Sequence, residues 1–249
     1  MSQVIAGAEP MSADGGSTGV LVLHGFTGNP QSMRPLAQAF VDAGYAVEQP
    51  LLSGHGTTVE DMLDTTWEDW SADAEAAYQL LAARTESVVV AGLSMGGSLT
   101  LWLATQHPEV AGIICINPAT QVAPEVRDFV ASMVAAGDIV MAGLGSDVAD
   151  PNSPESAYAD TPLKPLLSMF DAAIHTQSAL PGVKLPLLLF TSPQDHVVPP
   201  TDSDYLAEVY GGPVERVSCD RSYHVATLDY DKAMIIEESI NFVRKLSKQ

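Results

Sequence analysis

Cationic side chains are scarce in this chain. Its 249 residues include 11 Lys plus Arg against 31 Asp plus Glu, a formal net charge of −20. A surface so short of cations excludes nucleic-acid binding, which sets Lys and Arg against phosphates. It also opposes strong adsorption to anionic membranes. The bland consequence is a surface that resists association. Cysteine is scarce as well, with Cys115 and Cys219 the two in the chain. Both lie in apolar runs that read as neighbouring strands. They are read as small buried thiols rather than as a disulfide or metal pair. No run is long and apolar enough to span a bilayer. The opening MSQVIAGAEPMSADGG lacks a basic n-region and a sustained apolar h-region. It does not read as a signal peptide, which gives a cytoplasmic expectation. No internal repeat or low-complexity tract interrupts the chain.

What is present is apolar and periodic. Hydrophobic residues make up 46% of the chain, enough for one α/β domain with a large core. Short apolar runs at 19–25, 45–50, 87–92, 112–117, 185–192 and 213–219 read as strands. Helical spacing appears between them. Met33, Leu36, Ala37, Phe40 and Val41 share one face, and Gly44 can take the left-handed stop. Trp67, Trp70, Ala74, Ala77, Tyr78 and Leu81 share another, with Thr65 and Glu68 as a capping box. Ile236, Ile240, Val243 and Leu246 mark a closing helix after Asp231. Strands alternating with helices predict a doubly wound, mainly parallel sheet.

The stretch 119–183 breaks that rhythm with short helical pieces and with Pro151, Pro154, Pro162 and Pro165. A plain crossover needs about a dozen residues. We therefore divide the chain into a core, 1–118 with 184–249, and an inserted helical cap, 119–183. Ligands bind beyond the carboxyl ends of parallel strands, which places the insertion above the site. Its apolar segment 133–145 suits at most a transient contact with a membrane or micelle.

The chemistry-bearing motif is Gly92-Leu93-Ser94-Met95-Gly96, a G-x-S-x-G between a strand and a helix. That context is a nucleophile elbow, in which strained backbone angles push the serine hydroxyl out of the turn. Serine is a poor nucleophile alone and needs a base with an orienting acid. The chain order in such folds is Ser, then Asp or Glu, then His. Asp195 follows the fifth apolar run and His224 follows the sixth, both in loops at strand ends. His196 is the rival base, but it adjoins Asp195 and is poorly placed to bridge from that acid to Ser94. Asp220 and Asp229 are rival acids, set on the histidine's own loop. His24 and His55 read as structural hydrogen-bonders, and His175, in the cap, as a structural or surface residue. The oxyanion hole needs two main-chain donors. Met95, next after the nucleophile, supplies one, and Phe26 in the loop after the first run supplies the other.

Further stretches carry a resemblance. HGFTGNPQSMRPLA, GHGTTVEDM, TTWEDW, GLSMGGSLTLWLA, DHVVPP and SYHVATLDYD together resemble the bacterial monoacylglycerol lipases. These belong to the carboxylesterase and lipase branch of the α/β-hydrolase fold. The resemblance runs from about Gly7 to the last helix and is weakest over 119–145. It implies a serine hydrolase that cleaves fatty-acid monoesters of glycerol, with no cofactor and no metal. The family triad falls on Ser94, Asp195 and His224. Cap pieces at 145–147 and 155–162 also match, implying Leu144 at the mouth of an acyl tunnel and Glu155 facing the glycerol head. The rival readings are a broad short- to medium-chain carboxylesterase, a peptidase or carbon–carbon hydrolase, and a binding protein that kept the pocket.

Overall fold

The computed structural model describes residues 2–143 and 145–247. The strands are β1 (Met11–Ala13), β2 (Thr18–Leu23), β3 (Ala46–Gln49), β4 (Ser87–Leu93), β5 (Gly112–Ile116), β6 (Val140–Ala142), β7 (Asp160–Pro162), β8 (Leu187–Thr191) and β9 (Val214–Ser218). The helices are α1 (Arg34–Asp42), α2 (Val59–Met62), α3 (Trp67–Ala82), α4 (Met95–Gln106), α5 (Pro124–Ala136), α6 (Leu163–Gln177), α7 (Thr201–Val209) and α8 (Lys232–Leu246). Seven strands form one sheet in the order β1-β3-β2-β4-β5-β8-β9. All neighbours are parallel except β1, which runs antiparallel to β3. The expected doubly wound sheet is what forms.

Alternation along the strands explains the two-sided core. In β2, Leu21 and Leu23 face one side, packing with Trp70 and Tyr78 of α3 and Leu99 and Leu103 of α4. Val20 and Val22 face the other, with Phe40 of α1 and Ile235 and Phe242 of α8. Both faces are covered, so the central strands read as continuous apolar runs. Among the described residues, no helix is long and apolar enough to cross a membrane.

The structure corrects several expectations. The N-cap of α3 is Thr66, whose N–H donates to the Asp69 carboxylate at 2.8 Å. The expected Thr65–Glu68 box lies one residue early, and Thr65 Oγ1 instead donates to the Met62 carbonyl. In α8 the buried positions are Ile235, Ser239, Phe242 and Val243. Ile236, Ile240 and Leu246 flank that face, which is rotated by about one residue from the expected stripe. Cys115 and Cys219 are buried free thiols, as expected. They are not on neighbouring strands, because β8 lies between β5 and β9. β1 was not foreseen, since three residues on an edge carry almost no periodicity.

Between β5 and β8 the chain adds α5, β6, β7 and α6. β6 and β7 pair antiparallel apart from the main sheet. This stretch leaves the sheet at the carboxyl end of β5, beside the turn that carries Ser94, and returns through α6 to the opposite end of the sheet at the start of β8.

Candidate active site

Ser94 sits at the junction of β4 and α4 with φ 55° and ψ −119°. An L-residue pays steric strain there, and the surrounding glycines permit it. A Cβ at Gly92 would lie 2.0 Å from the Gly96 carbonyl oxygen. A Cβ at Gly96 would lie 2.2 Å from the Leu23 carbonyl oxygen. Gly92 is thus packed against the first turn of α4, and Gly96 against the end of β2, too closely for a side chain at either position. The Ser94 N–H donates to the Ile116 carbonyl at 3.0 Å, tying the elbow to β5.

Asp195 follows β8, and its carboxylate is almost fully buried, with 1% of the side chain exposed. Oδ1 accepts the Val197 and Val198 N–H groups, each at 2.8 Å. Oδ2 faces His224 Nδ1 at 2.7 Å. An ionised carboxylate can only accept, so Nδ1 carries the proton in the neutral ring and Nε2 is free to take one. His224 and Ser94 both line one cavity of about 680 Å³. Its walls are mostly apolar, including Phe26, Leu166, Met169, Phe170 and Val198.

Phe26 follows β2 and packs its ring edge-on against Trp70 at 5.6 Å. Its neighbour Thr27 has φ 59°, a second strained position in the site. Met95 is the first residue of α4, so its N–H has no acceptor within the helix. Glu155 lines the same cavity, and a Cβ at Gly28 would sit 3.2 Å from its Oε1. Burial pushes the Glu155 carboxyl up to about 6, with His224 opposing and Asp147 adding to the rise. Leu144 lies outside the described residues.

The rivals are engaged elsewhere. His196 Nδ1 faces Asp147 at 2.8 Å with its ring exposed. Asp220 accepts from the Ser218 hydroxyl. Asp229 is buried and accepts four main-chain N–H groups, from Ala149, Asp150, Tyr223 and Tyr230. His24 Nε2 accepts the Leu52 N–H at 3.2 Å, so Nδ1 donates to the Gly25 carbonyl at 2.9 Å. Burial holds its imidazole near 4, and neutral. Burial also lowers the His55 imidazole well below its ordinary value, with His24 nearby adding to the effect. Both rings are structural, as expected, and His175 is exposed on α6.

Three residues escaped sequence reasoning. Asn117, at φ 43°, donates to the His224 carbonyl at 2.7 Å and accepts the Ser192 N–H at 2.8 Å. It joins β5, β8 and the histidine loop. Asp202 on α7 accepts the Thr120 and Gln121 N–H groups where the insertion begins. Burial raises its carboxyl above the ordinary value. Asp147 is the third. A usable signal existed for Asn117 alone, an Asn before Pro118 at a strand end, since Asn tolerates positive φ.

A family model described as serine aminopeptidase, S33 (Hydrolase_4) matches residues 17–231. The chain belongs to the Hydrolase_4 family. It is 45% identical to the thermostable monoacylglycerol lipase of Bacillus sp. (strain H-257), over 97% of this chain and 96% of that one. It is 25% identical to a carboxylesterase of Bacillus subtilis (strain 168), over 96% and 97%. A solved structure from work on LipS and LipT, two metagenome-derived lipolytic enzymes, superposes with a TM-score of 0.92 at 43% identity. It covers 98% of this chain and 100% of that one. The Hydrolase_4 chain thus has the α/β-hydrolase fold that the sequence motifs imply.

Proposed function

We propose that this Hydrolase_4 protein is a serine ester hydrolase acting on fatty-acid monoesters of glycerol. The observation that carries this reading is the strained Ser94 and the Asp195-bonded His224 opening onto one large, mostly apolar cavity. Ser94 Oγ attacks the ester carbonyl carbon while His224 Nε2 takes its proton. Asp195 stays ionised, holds the ring tautomer and stabilises the imidazolium. The Met95 and Phe26 N–H groups receive the oxyanion, each worth roughly 2.7 to 4 kcal/mol. The C–O bond to glycerol breaks as His224 returns the proton to the leaving oxygen. Water then repeats the cycle on the acyl-enzyme, releasing fatty acid and freeing Ser94. Catalysis on this account draws on protein groups alone.

The cavity walls bind an acyl chain at roughly 0.8 kcal/mol per buried CH₂. Neighbouring chain lengths are weakly separated by such a pocket. Selection of the alcohol needs placed polar groups, and Glu155 is the carboxylate we assign to the glycerol hydroxyls. The reading treats 119–183 as a cap over a core of 1–118 and 184–249. Leu144 is assigned to the tunnel mouth by resemblance. Exposed Val126, Phe129, Ile139 and Ile174, all within 119–183, support transient contact with a lipid surface through this cap. Two free buried thiols and no disulfide between them support a cytoplasmic setting.

The test is kcat/KM for a medium-chain monoacylglycerol beside the methyl ester, diacylglycerol and triacylglycerol of the same acyl group. Preference for the monoacylglycerol supports the reading. Equal rates on monoacylglycerol and methyl ester would make the protein a broad carboxylesterase.

A further inference from the structure

The acid and the base stand on loops that leave different strands. A carboxylate from the insertion spans both loops. Asp147 Oδ2 accepts the main-chain N–H groups of His224 and His196, both at 3.1 Å. Oδ1 faces His196 Nδ1 at 2.8 Å. The Asp147 carbonyl accepts the Val225 N–H at 3.1 Å. One residue thus grips the base, the residue after the base and the residue after the acid.

The burial pattern separates this clamp from an ordinary surface ion pair. The Asp147 side chain is 13% exposed, while the His196 side chain is 60% exposed. The His196 ring packs edge-on against Tyr223 at 4.6 Å, beside His224 in the chain. Asp147 also lines the cavity with Ser94, Glu155 and His224. Its carboxylate already takes three donors from the two loops. Among the described residues, the Glu155 carboxylate accepts no such bond. The segment that follows is fixed in the same manner, since buried Asp229 accepts Ala149 and Asp150 as well as Tyr223.

We propose that Asp147 is a positioning residue for ester hydrolysis: from the insertion, its carboxylate seats the His224 imidazole against Asp195. The placement of the base then depends on how residues 145–158 sit on the core. The inference rests on the serine-hydrolase reading above. A misplacement of about 1 Å in such a site costs on the order of 100-fold in rate.

The test compares Asp147→Ala, Asp147→Asn and His196→Ala on two substrates, a medium-chain monoacylglycerol and p-nitrophenyl acetate. The acetate ester uses neither the acyl cavity nor a glycerol contact. Circular dichroism and Tm establish that each variant is folded. Asp147→Ala should lower kcat on both substrates by about 10- to 100-fold, with KM held within about threefold. Asp147→Asn keeps an acceptor of the same shape and should recover most of that loss. His196→Ala keeps its N–H donor and should lower kcat by about threefold, through the ring contact alone. Should Asp147→Ala fail to fold, Asp147→Asn on the acetate ester decides, with a severalfold fall in kcat at constant KM expected. Unchanged kcat in the folded Asp147 variants would overturn the proposal. So would a loss confined to KM for the monoacylglycerol, which would make Asp147 a head-group contact. Wild-type protein inactive on both esters and unlabelled by a fluorophosphonate would overturn the hydrolase reading itself.

Discussion

Two stretches of the chain between β5 and β8 are held in opposite ways. Residues 145–158 are strapped to the core by polar contacts. Asp147 meets the acid and base loops, and Asp229 receives Ala149 and Asp150. Asn29 donates to the Ser156 carbonyl at 2.6 Å and Gln31 to that of Pro154 at 3.1 Å. The Tyr158 N–H donates to the Thr27 carbonyl, and its hydroxyl donates to the Gly54 carbonyl while accepting the Thr57 N–H. Residues 124–143 differ. After the Asp202 clasp at Thr120, the polar contacts of α5 and β6 run inward to the insertion, such as Arg127 to Asp171 and Leu163 N–H to the Ile139 carbonyl. Val126, which borders the cavity, and Phe129 are exposed there. Among the described residues, directional bonds to the core hold the end near Ser94 and Glu155, which the proposed function assigns to the polar head.

The comparison can be broken at several points. The largest effect belongs to the chemistry that the strapped half protects. Ser94→Ala should lower kcat by about 10⁴-fold or more with an unchanged fold, read by steady-state kinetics and circular dichroism. Next comes the strap. Asp229→Ala removes a buried carboxylate that accepts four part-buried main-chain N–H groups, each worth up to about 1 to 3 kcal/mol when left unsatisfied. Thermal unfolding should show Tm lower by roughly 10 °C. A Tm within a degree or two of wild type would show that the strap bears little of the stability.

Glu155 sharpens the comparison at the head-group end. Its carboxyl titrates at about 6, so it accepts hydrogen bonds above that pH and carries its proton below. The ratio of kcat/KM for monoacylglycerol over methyl ester should rise about tenfold between about pH 5 and 8. The ratio cancels the titration of the shared catalytic base. In Glu155→Gln it should be flat. Because the folded carboxyl lies above its ordinary value of 4.5, its ionisation opposes folding as pH rises through that interval. Glu155→Gln should therefore also raise Tm above about pH 6.

The smallest effect lies outside the insertion. Burial works against charging His107, but hydrogen bonds to Glu75 and Glu109 outweigh it and raise its imidazole above 6.5. The stability it adds is complete below the unfolded value and is lost as pH rises through the folded one. His107→Gln should lower stability by up to about 1 kcal/mol at pH 5.5 and by less at pH 9, read by thermal melts.

What was legible in the sequence follows from the range of each interaction. The elbow at 92–96 is local, and its glycines record a backbone approach that no side chain survives. Asp195 and His224 were reachable because strand ends and chain order restrict where an acid and a base can stand. The contacts of Asn117, Asp147 and Asp202 were not, since their bonds span long stretches of chain. Asn117 meets a residue 107 positions away, and Asp147 one 77 positions away. The mistaken placement of Cys115 and Cys219 on neighbouring strands has the same origin, because strand order is not written in the run of strands. The shifted α3 cap and the rotated α8 face are errors of one residue, where neighbouring side chains of like chemistry compete.

The central claim is that Ser94 forms the acyl-enzyme. The direct measurement is labelling with a long-chain fluorophosphonate, followed by peptide mass spectrometry and residual activity on monoacylglycerol. The account predicts one phosphonyl group per chain, on Ser94, with activity lost in proportion. Full activity in the labelled protein, or a label on another residue that abolishes turnover, would contradict it.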